Sequence, residues 1–189
     1  THFFVGTWNN GVLEFLDNTL INHYTEEGTA LQTISNTDDY IRIGGIDLDK
    51  NNNVWMTNSS TEKPLVKYSS GVFEGFSMET GGAMSGKILC TSSAQMWIQL
   101  RNNGLLVAKE NSLVNINGAN YTEIEYQSIN ESDGLPGNTV NCFVEDNDGS
   151  VWVGTNLGLS VCYLPTNIFN TSYYTAESIL VETQDGYTE

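Results

Sequence analysis

The sequence predicts an all-β protein: a β-propeller segment of about four four-stranded blade units, forming part of a larger propeller. Three observations carry this prediction. Leu135 to Leu159 has the pattern of a β-meander. The same pattern recurs along the chain with an aromatic residue in register, at the period of ~40 to 50 residues typical of propeller blades. No segment sustains a 3.6-residue apolar period, so helix is expected in fewer than about a tenth of residues, against about a third in ordinary domains.

Within the meander, Thr139 to Val144 reads as a first strand with Val140, Cys142 and Val144 on one face. Asp146-Asn147-Asp148-Gly149 reads as a tight turn, since Asp and Asn bond their own backbone and Gly accepts positive φ. Ser150 to Thr155 returns, with Val151 and Val153 alternating against Trp152. Asn156-Leu157-Gly158 turns again into a third strand, Leu159 to Tyr163.

Aligned on tryptophan, Ile46 to Trp55 places Asp49 on Asp146, Asn52 on Gly149 and Trp55 on Trp152. Ile88 to Trp97 is a degenerate copy without the turn aspartate. At the front, Phe4-Val5-Gly6-Thr7 matches Trp152-Val153-Gly154-Thr155. The anchors Phe4, Trp55, Trp97 and Trp152 are spaced by 51, 42 and 55 residues. Such repetition in register assigns the tryptophans to blade packing. Asp49 and Asp146 are expected to accept hydrogen bonds from the N–H groups of their own turns, a structural role.

Taken in order, His2 to Thr7, Gly11 to Leu16 and Thr19 to Tyr24 are the second, third and fourth strands of a unit over residues 1–24. Thr25 to Tyr40 is polar and reads as a long loop. A complete unit follows over 41–78, ending in Pro64 to Tyr68 and Val72 to Phe76. Met78 to Gly86 is a glycine-rich crossover. The next unit, 87–127, carries an insertion between Lys109 and Tyr121. The last, 138–189, has an irregular aromatic stretch before a strand at Ser178 to Thr183 and a turn at Gln184 to Gly186. The first and last units are incomplete, and an open arc would expose two apolar blade faces. That costs about 1.5–3 kcal/mol per large side chain left unburied, which favours a larger propeller over the bare 189 residues, with swapping of the terminal strands as the alternative.

With 7 basic and 23 acidic residues, the net charge of −16 argues against nucleic acid and anionic membrane as partners. No stretch approaches the ~20 apolar residues a membrane helix needs, so no membrane insertion is expected within this segment. Cys142 and Cys162 fall in first and third strands of one blade, about 9–10 Å apart, beyond the ~7 Å reach of a disulfide. Cys90 lies in a neighbouring blade and reads as a small apolar residue.

Candidate chemistry is sparse. Asp47-x-Asp49-x-Asn51-x-Asn53 has the early spacing of a calcium loop, but Asn52 stands where Gly is needed and Asn58 where Glu is needed. Asp148-Gly149-x-x-Trp152 resembles the Asp-box of sialidase propellers, yet its Asp and Gly are adjacent rather than separated. His2 and His23 fall in strands, with no nucleophile motif beside them. Gly44-Gly45 and Gly81-Gly82 lack the strand-to-helix context of a phosphate loop. Neither catalytic residues, a metal site nor a cofactor is expected.

Asp133 to Val140 (Asp-Gly-Leu-Pro-Gly-Asn-Thr-Val) and Glu145 to Thr155 (Glu-Asp-Asn-Asp-Gly-Ser-Val-Trp-Val-Gly-Thr) closely resemble the two-component-regulator propeller repeat. That repeat builds the periplasmic sensor propellers of hybrid histidine kinases in Bacteroidetes. A second resemblance covers more of the chain. Tyr40 to Ser59, Lys63 to Lys67 and the closing run Val161 to Gly186 are similar to surface propellers of the type IX secretion system, the PorZ-like family. This resemblance implies a large extracytoplasmic protein with two propellers and a C-terminal secretion domain, the last not being among these residues.

Function is therefore expected to be a non-catalytic extracytoplasmic binding or assembly module of a secretion-associated surface protein. The alternative is the glycan-sensing ectodomain of a hybrid sensor kinase, and a third reading is a polysaccharide-acting propeller enzyme. Expected partners are proteins of a surface complex or a surface or extracellular glycan. In propellers the loops joining second to third strands share a face with the crossovers between blades. Here those loops carry Trp8-Asn9-Asn10, Asn58 to Glu62, Arg101-Asn102-Asn103 and Asn156-Leu157. Trp8, Asn9, Asn10, Arg101, Asn102 and Asn103 are the candidate ligand-binding residues, since an aromatic, a guanidinium and amides suit a sugar or an extended peptide. The structural alternative is that Trp8 caps a blade edge and Arg101 pairs with a surface carboxylate.

Overall fold

A computed structural model describes residues 1–34, 40–111, 114–116, 119–171 and 173–180. β1 (His2–Gly6), β2 (Val12–Leu16) and β3 (Thr19–Tyr24) form a three-stranded antiparallel sheet. β4 (Ile43–Leu48), β5 (Val54–Asn58), β6 (Leu65–Ser69) and β7 (Val72–Phe76) form a four-stranded meander. In the third sheet, β8 (Ser85–Cys90), β9 (Gln95–Leu100) and β10 (Leu105–Glu110) are followed by an inserted hairpin, β11 (Val114–Ile116) and β12 (Ala119–Tyr121). β13 (Ile124–Ile129) then completes that sheet against β10. The fourth sheet contains β14 (Val140–Glu145), β15 (Val151–Thr155), β16 (Leu159–Cys162) and β17 (Glu177–Ile179). Short 3₁₀ turns at Glu131–Asp133 and Pro165–Phe169 are the only helical residues among those described. The architecture is all-β, with successive antiparallel sheets packed as propeller blades. The turn expected at Gln184 to Gly186 lies outside the described residues, as does the end of the strand expected from Ser178 to Thr183.

The turns form for the local reasons read from the sequence. Asp146 Oδ1 accepts the N–H groups of Asp148 (3.0 Å) and Ser150 (2.9 Å), while Oδ2 accepts the Trp152 indole N–H (2.7 Å). Asp49 repeats this with Asn51 (2.8 Å), Asn53 (2.9 Å) and Trp55 (3.1 Å). Asn52 takes the left-handed backbone of its counterpart Gly149, φ 61° against 81°. The third sheet lacks this aspartate and solves the problem differently. Thr91 Oγ1 accepts the Gln95 N–H (3.1 Å), and the Gln95 side-chain carbonyl accepts the Trp97 indole N–H (3.2 Å). The Gln95 amide also donates to the Pro165 carbonyl at 2.9 Å, tying the third blade to the fourth.

Apolar side chains are buried in three seams between consecutive sheets. Val12, Ile43, Val54, Met56 and Val66 join the first and second sheets, with Phe4 packed against them. Trp55, Leu65, Met96, Ile98 and Leu106 join the second and third. Trp97, Val107, Val151 and Val153 join the third and fourth. Middle strands of the inner blades are therefore buried on both faces, and every residue of β5 is buried.

One expected face is corrected. Val140, Cys142 and Val144 do not share a side of β14. A bulge between Val140 and Cys142 shifts the register, so Val140 and Phe143 point into the third seam while Cys142 and Val144 are exposed. One extra residue in a strand of period two moves every later side chain to the opposite face. Comparable shifts occur in β4 and β8, the other strands at this position. All three cysteines are free, and Cys162 is buried at the seam.

Candidate functional site

The second-to-third-strand loops and the crossovers lie at one end of the blades, laced by main-chain hydrogen bonds. Ser59 N–H donates to Arg42 C=O (2.9 Å), Arg101 N–H to Met84 C=O (3.0 Å) and Asn156 N–H to Thr139 C=O (3.0 Å). Each bond ties a loop to the crossover entering its own sheet. Gly11 N–H to Ile41 C=O (3.2 Å) and Gly104 N–H to Asn138 C=O (2.9 Å) tie loops to the next crossover. Gly11 must be glycine: at φ 69° its Cβ would sit 2.1 Å from the Tyr24 carbonyl oxygen.

All six residues singled out from the sequence are exposed on this face. Trp8 is 60% exposed. Asn10 donates its N–H to Thr7 Oγ1 (2.8 Å) and accepts the His23 ring N–H at its carbonyl (2.7 Å). Asn102 accepts the Thr139 hydroxyl (3.2 Å), and the Asn103 amide reaches the Thr80 carbonyl at 3.5 Å. Arg101 forms no ion pair among the described residues and is held by its backbone alone. Trp8 and Arg101 belong to the first and third sheets, and no contact joins them.

The guanidinium that meets Trp8 is Arg42, at the crossover into the second sheet. It lies 4.6 Å from the Trp8 ring centroid and 5.2 Å from that of Tyr40. Its Nη1 donates to Met84 Sδ at 3.0 Å, reaching the crossover into the third sheet. Arg42 thereby connects three blades. Its only sequence signal is a charge flanked by apolar residues in Tyr40-Ile41-Arg42-Ile43, an apparent interruption of a buried stretch.

At the opposite end, a cavity of about 670 Å³ opens between β1 and the second sheet, lined by Phe3, Phe4, Ile46, Asp47 and Tyr68 among others. It flanks the unpaired edge of β1, the position that β4, β8 and β14 fill in the other sheets. Nearby, Glu14 is 5% exposed in β2. It accepts the Tyr24 hydroxyl, the Asn22 amide and the His2 ring Nε2–H, each at 2.6 Å. Burial alone would raise the Glu14 pKa, but these donors outweigh it and hold the carboxyl below its ordinary value. Burial, and then the same carboxylate, push the Tyr24 hydroxyl upward. Asp47 of the calcium-like spacing is committed elsewhere, accepting the N–H groups of Leu48 and Cys90.

Comparison with known proteins agrees with the fold. Residues 134–157 match the family model described as two component regulator propeller. No curated protein matches the chain. Among solved structures, PorZ of Porphyromonas gingivalis, described as an essential surface component of the type IX secretion system, superposes with a TM-score of 0.78 and 20% identity. The match covers 100% of this chain and 27% of PorZ. The extracellular domain of a hybrid two-component system from B. thetaiotaomicron superposes with a TM-score of 0.61 at 21% identity, covering 99% of this chain and 26% of that one. Virginiamycin B lyase from Staphylococcus aureus, an enzyme, superposes with a TM-score of 0.59 at 15% identity, covering 94% of this chain and 50% of the lyase. The chain thus spans about a quarter of the first two and half of the third. At these identities the likeness is one of fold, and the fold hosts both catalytic and non-catalytic proteins.

Proposed function

We propose that this chain is a segment of a non-catalytic, extracytoplasmic β-propeller that binds or assembles with partners as part of a secretion-associated surface protein of the type IX kind. The observation that carries the reading is the superposition on PorZ over the whole chain. The arrangement of the loop face supports it: exposed Trp8, Asn9, Asn10, Arg101, Asn102 and Asn103 surround a face rich in amides, suited to a glycan or an extended peptide. A second reading, the ligand-sensing ectodomain of a hybrid two-component system, is supported by the repeat matched at 134–157 and by the sensor-domain superposition.

Trp55 and Trp97 are each covered by the following blade, whereas among the described residues no further sheet covers Trp152. Disruption of the full-length gene in its source organism separates the two readings. Loss of surface retention of secreted cargo, with transcription unchanged, is expected for the secretion role. A lost transcriptional response to a glycan, with secretion intact, would replace it with the sensor role.

A further inference from the structure

We propose that Arg42 is the anion-recognising centre of the loop face, and that it binds the carboxylate of a hexuronate whose ring lies against Trp8. The inference rests on the binding role proposed above and deepens it by naming the ligand class.

Arg42 is half-buried in a chain of 23 acidic and 7 basic residues, yet it has no carboxylate partner among the described residues. Lys67 and Lys109, by contrast, pair with Glu110 and Glu125. The polar contact of the Arg42 side chain is to a thioether, a weak acceptor, and its Nε is buried with no hydrogen-bond partner. A guanidinium taken partly out of water without a matching acceptor carries a desolvation cost that an incoming anion removes. Its orientation is already set, since Trp8 and Tyr40 hold the cation and Met84 anchors one nitrogen. A planar fork fixed in this way matches the two oxygens of a carboxylate.

Two further buried polar groups without partners lie on the segments that hold Arg42. The hydroxyls of Ser59 and Ser85 are buried, these residues being 1% and 3% exposed, and neither hydroxyl has a partner. Both belong to the backbone that frames Arg42. Ser59 bonds the Arg42 carbonyl through its own N–H, and Ser85 follows Met84. Buried hydroxyls without partners are uncommon and costly, and these two lie on the segments that hold Arg42, one bonded to its backbone carbonyl and one next to Met84. Trp8 selects the kind of carboxylate. Its largely exposed indole offers a flat apolar surface to the C–H face of a sugar ring, while Asn9 and Asn10 stand beside it to meet ring hydroxyls. A peptide carboxylate would use the guanidinium but not this platform.

Calorimetric titration with trigalacturonate, its fully methyl-esterified form and an acidic tripeptide tests the assignment. Trigalacturonate is expected to bind, and the ester at least tenfold more weakly. Arg42→Gln and Trp8→Ala should each weaken trigalacturonate at least tenfold, while Lys109→Gln leaves affinity unchanged. Should Arg42→Gln fail to fold, the acid-against-ester comparison on the unaltered protein decides. Equal binding of acid and ester, no binding of trigalacturonate, or full affinity in folded Arg42→Gln would overturn the proposal. Arg42-dependent binding of the tripeptide alone would replace the hexuronate with a peptide carboxylate. A neutral glycan bound through Trp8 but not Arg42 would leave the binding role standing and remove this inference.

Discussion

Trp97 and Trp152 hold the same register of the same repeat, yet Trp97 is fully buried and Trp152 only half-buried. Each indole N–H is satisfied locally, by Gln95 in one case and Asp146 in the other. Their difference is the neighbour. The Trp97 face of β9 packs on Val151 and Val153 of the fourth sheet, whereas Trp152 shares its face with Val144, which is 59% exposed. The strands record it: five of the six residues of β9 are buried, while β15 begins as an alternation of buried and half-buried positions. The third and fourth blades therefore each satisfy their own indole, but burial of the tryptophan depends on the next blade, as in other repeat architectures stabilised by nearest-neighbour interfaces.

Truncating the two tryptophans should give the largest contrast. Trp97→Ala should cost about 3–5 kcal/mol, the usual range for an aromatic lost from a core. Trp152→Ala should cost about 1–2 kcal/mol, scaled down for partial burial. Urea titrations of the two variants give the answer, and equal losses would show that the following blade adds little. The first seam provides a polar counterpart. Glu14→Ala leaves the Tyr24 hydroxyl and Asn22 amide without their acceptor, at an expected cost of about 1–3 kcal/mol. A loss no larger than that of an exposed surface carboxylate would remove Glu14 from the seam's support.

Smaller effects distinguish equivalent turns. Asp49→Ala should cost about 1 kcal/mol, since its hydrogen bonds are partly shielded beneath the third blade. Asp146→Ala should lower the unfolding midpoint less, because among the described residues no following blade lies beside its turn as Cys90 and Thr91 lie beside Asp49. Equal shifts would mean that the neighbouring blade does not strengthen the turn. Burial opposes ionisation at Asp49, but its side-chain and backbone donors win, and its pKa lies below the ordinary value. At Asp146 the Trp152 indole is the main cause of a similar lowering. Folded pKa values below the unfolded values of about 4 mean that Glu14, Asp49 and Asp146 stabilise fully above about pH 5, and that this stability is lost as pH falls through the folded values. Acid titration followed by fluorescence should show the loss, reduced in the Asp49→Ala variant. A profile flat from pH 5 to 2 would contradict it.

The smallest effect concerns thiols. Cys142 is exposed on the Trp152 face, whereas Cys162 lies in the third seam with its pKa pushed up to about 12 by burial. A thiol reagent should label Cys142 in the native protein with little change in stability. Cys162 should react only on unfolding, and rapid native labelling there would place the seam open to solvent.

Much of this was legible because it is local. Turn aspartates, strand alternation and the tryptophan register each involve residues a few positions apart, and they decide the all-β class, the sheet order within a blade and the backbone bonds of the turn aspartates. The Thr91–Gln95 substitute for the missing aspartate was not legible, because hydroxyl and amide side chains carry no turn signature as clear as Asp-x-x-Gly. The bulge in β14 was also hidden. Strand periodicity assumes an unbroken pleat, and the inner strands depart from it.

Trp8 could be placed on the loop face because it falls between the second and third strands of its unit, whereas its cationic neighbour could not be identified from sequence spacing. Arg101 looked equivalent because it shares a loop type, but Arg42, 34 residues from Trp8, is the cation that reaches the indole. The sequence alone determined the blade, because a meander is built from short-range hydrogen bonds and a period-two pattern. Which blade covers which tryptophan, and which guanidinium lies against Trp8, follow from how the sheets pack on one another. Those pairings arise from the packing angle between sheets, which brings together residues that no local periodicity relates.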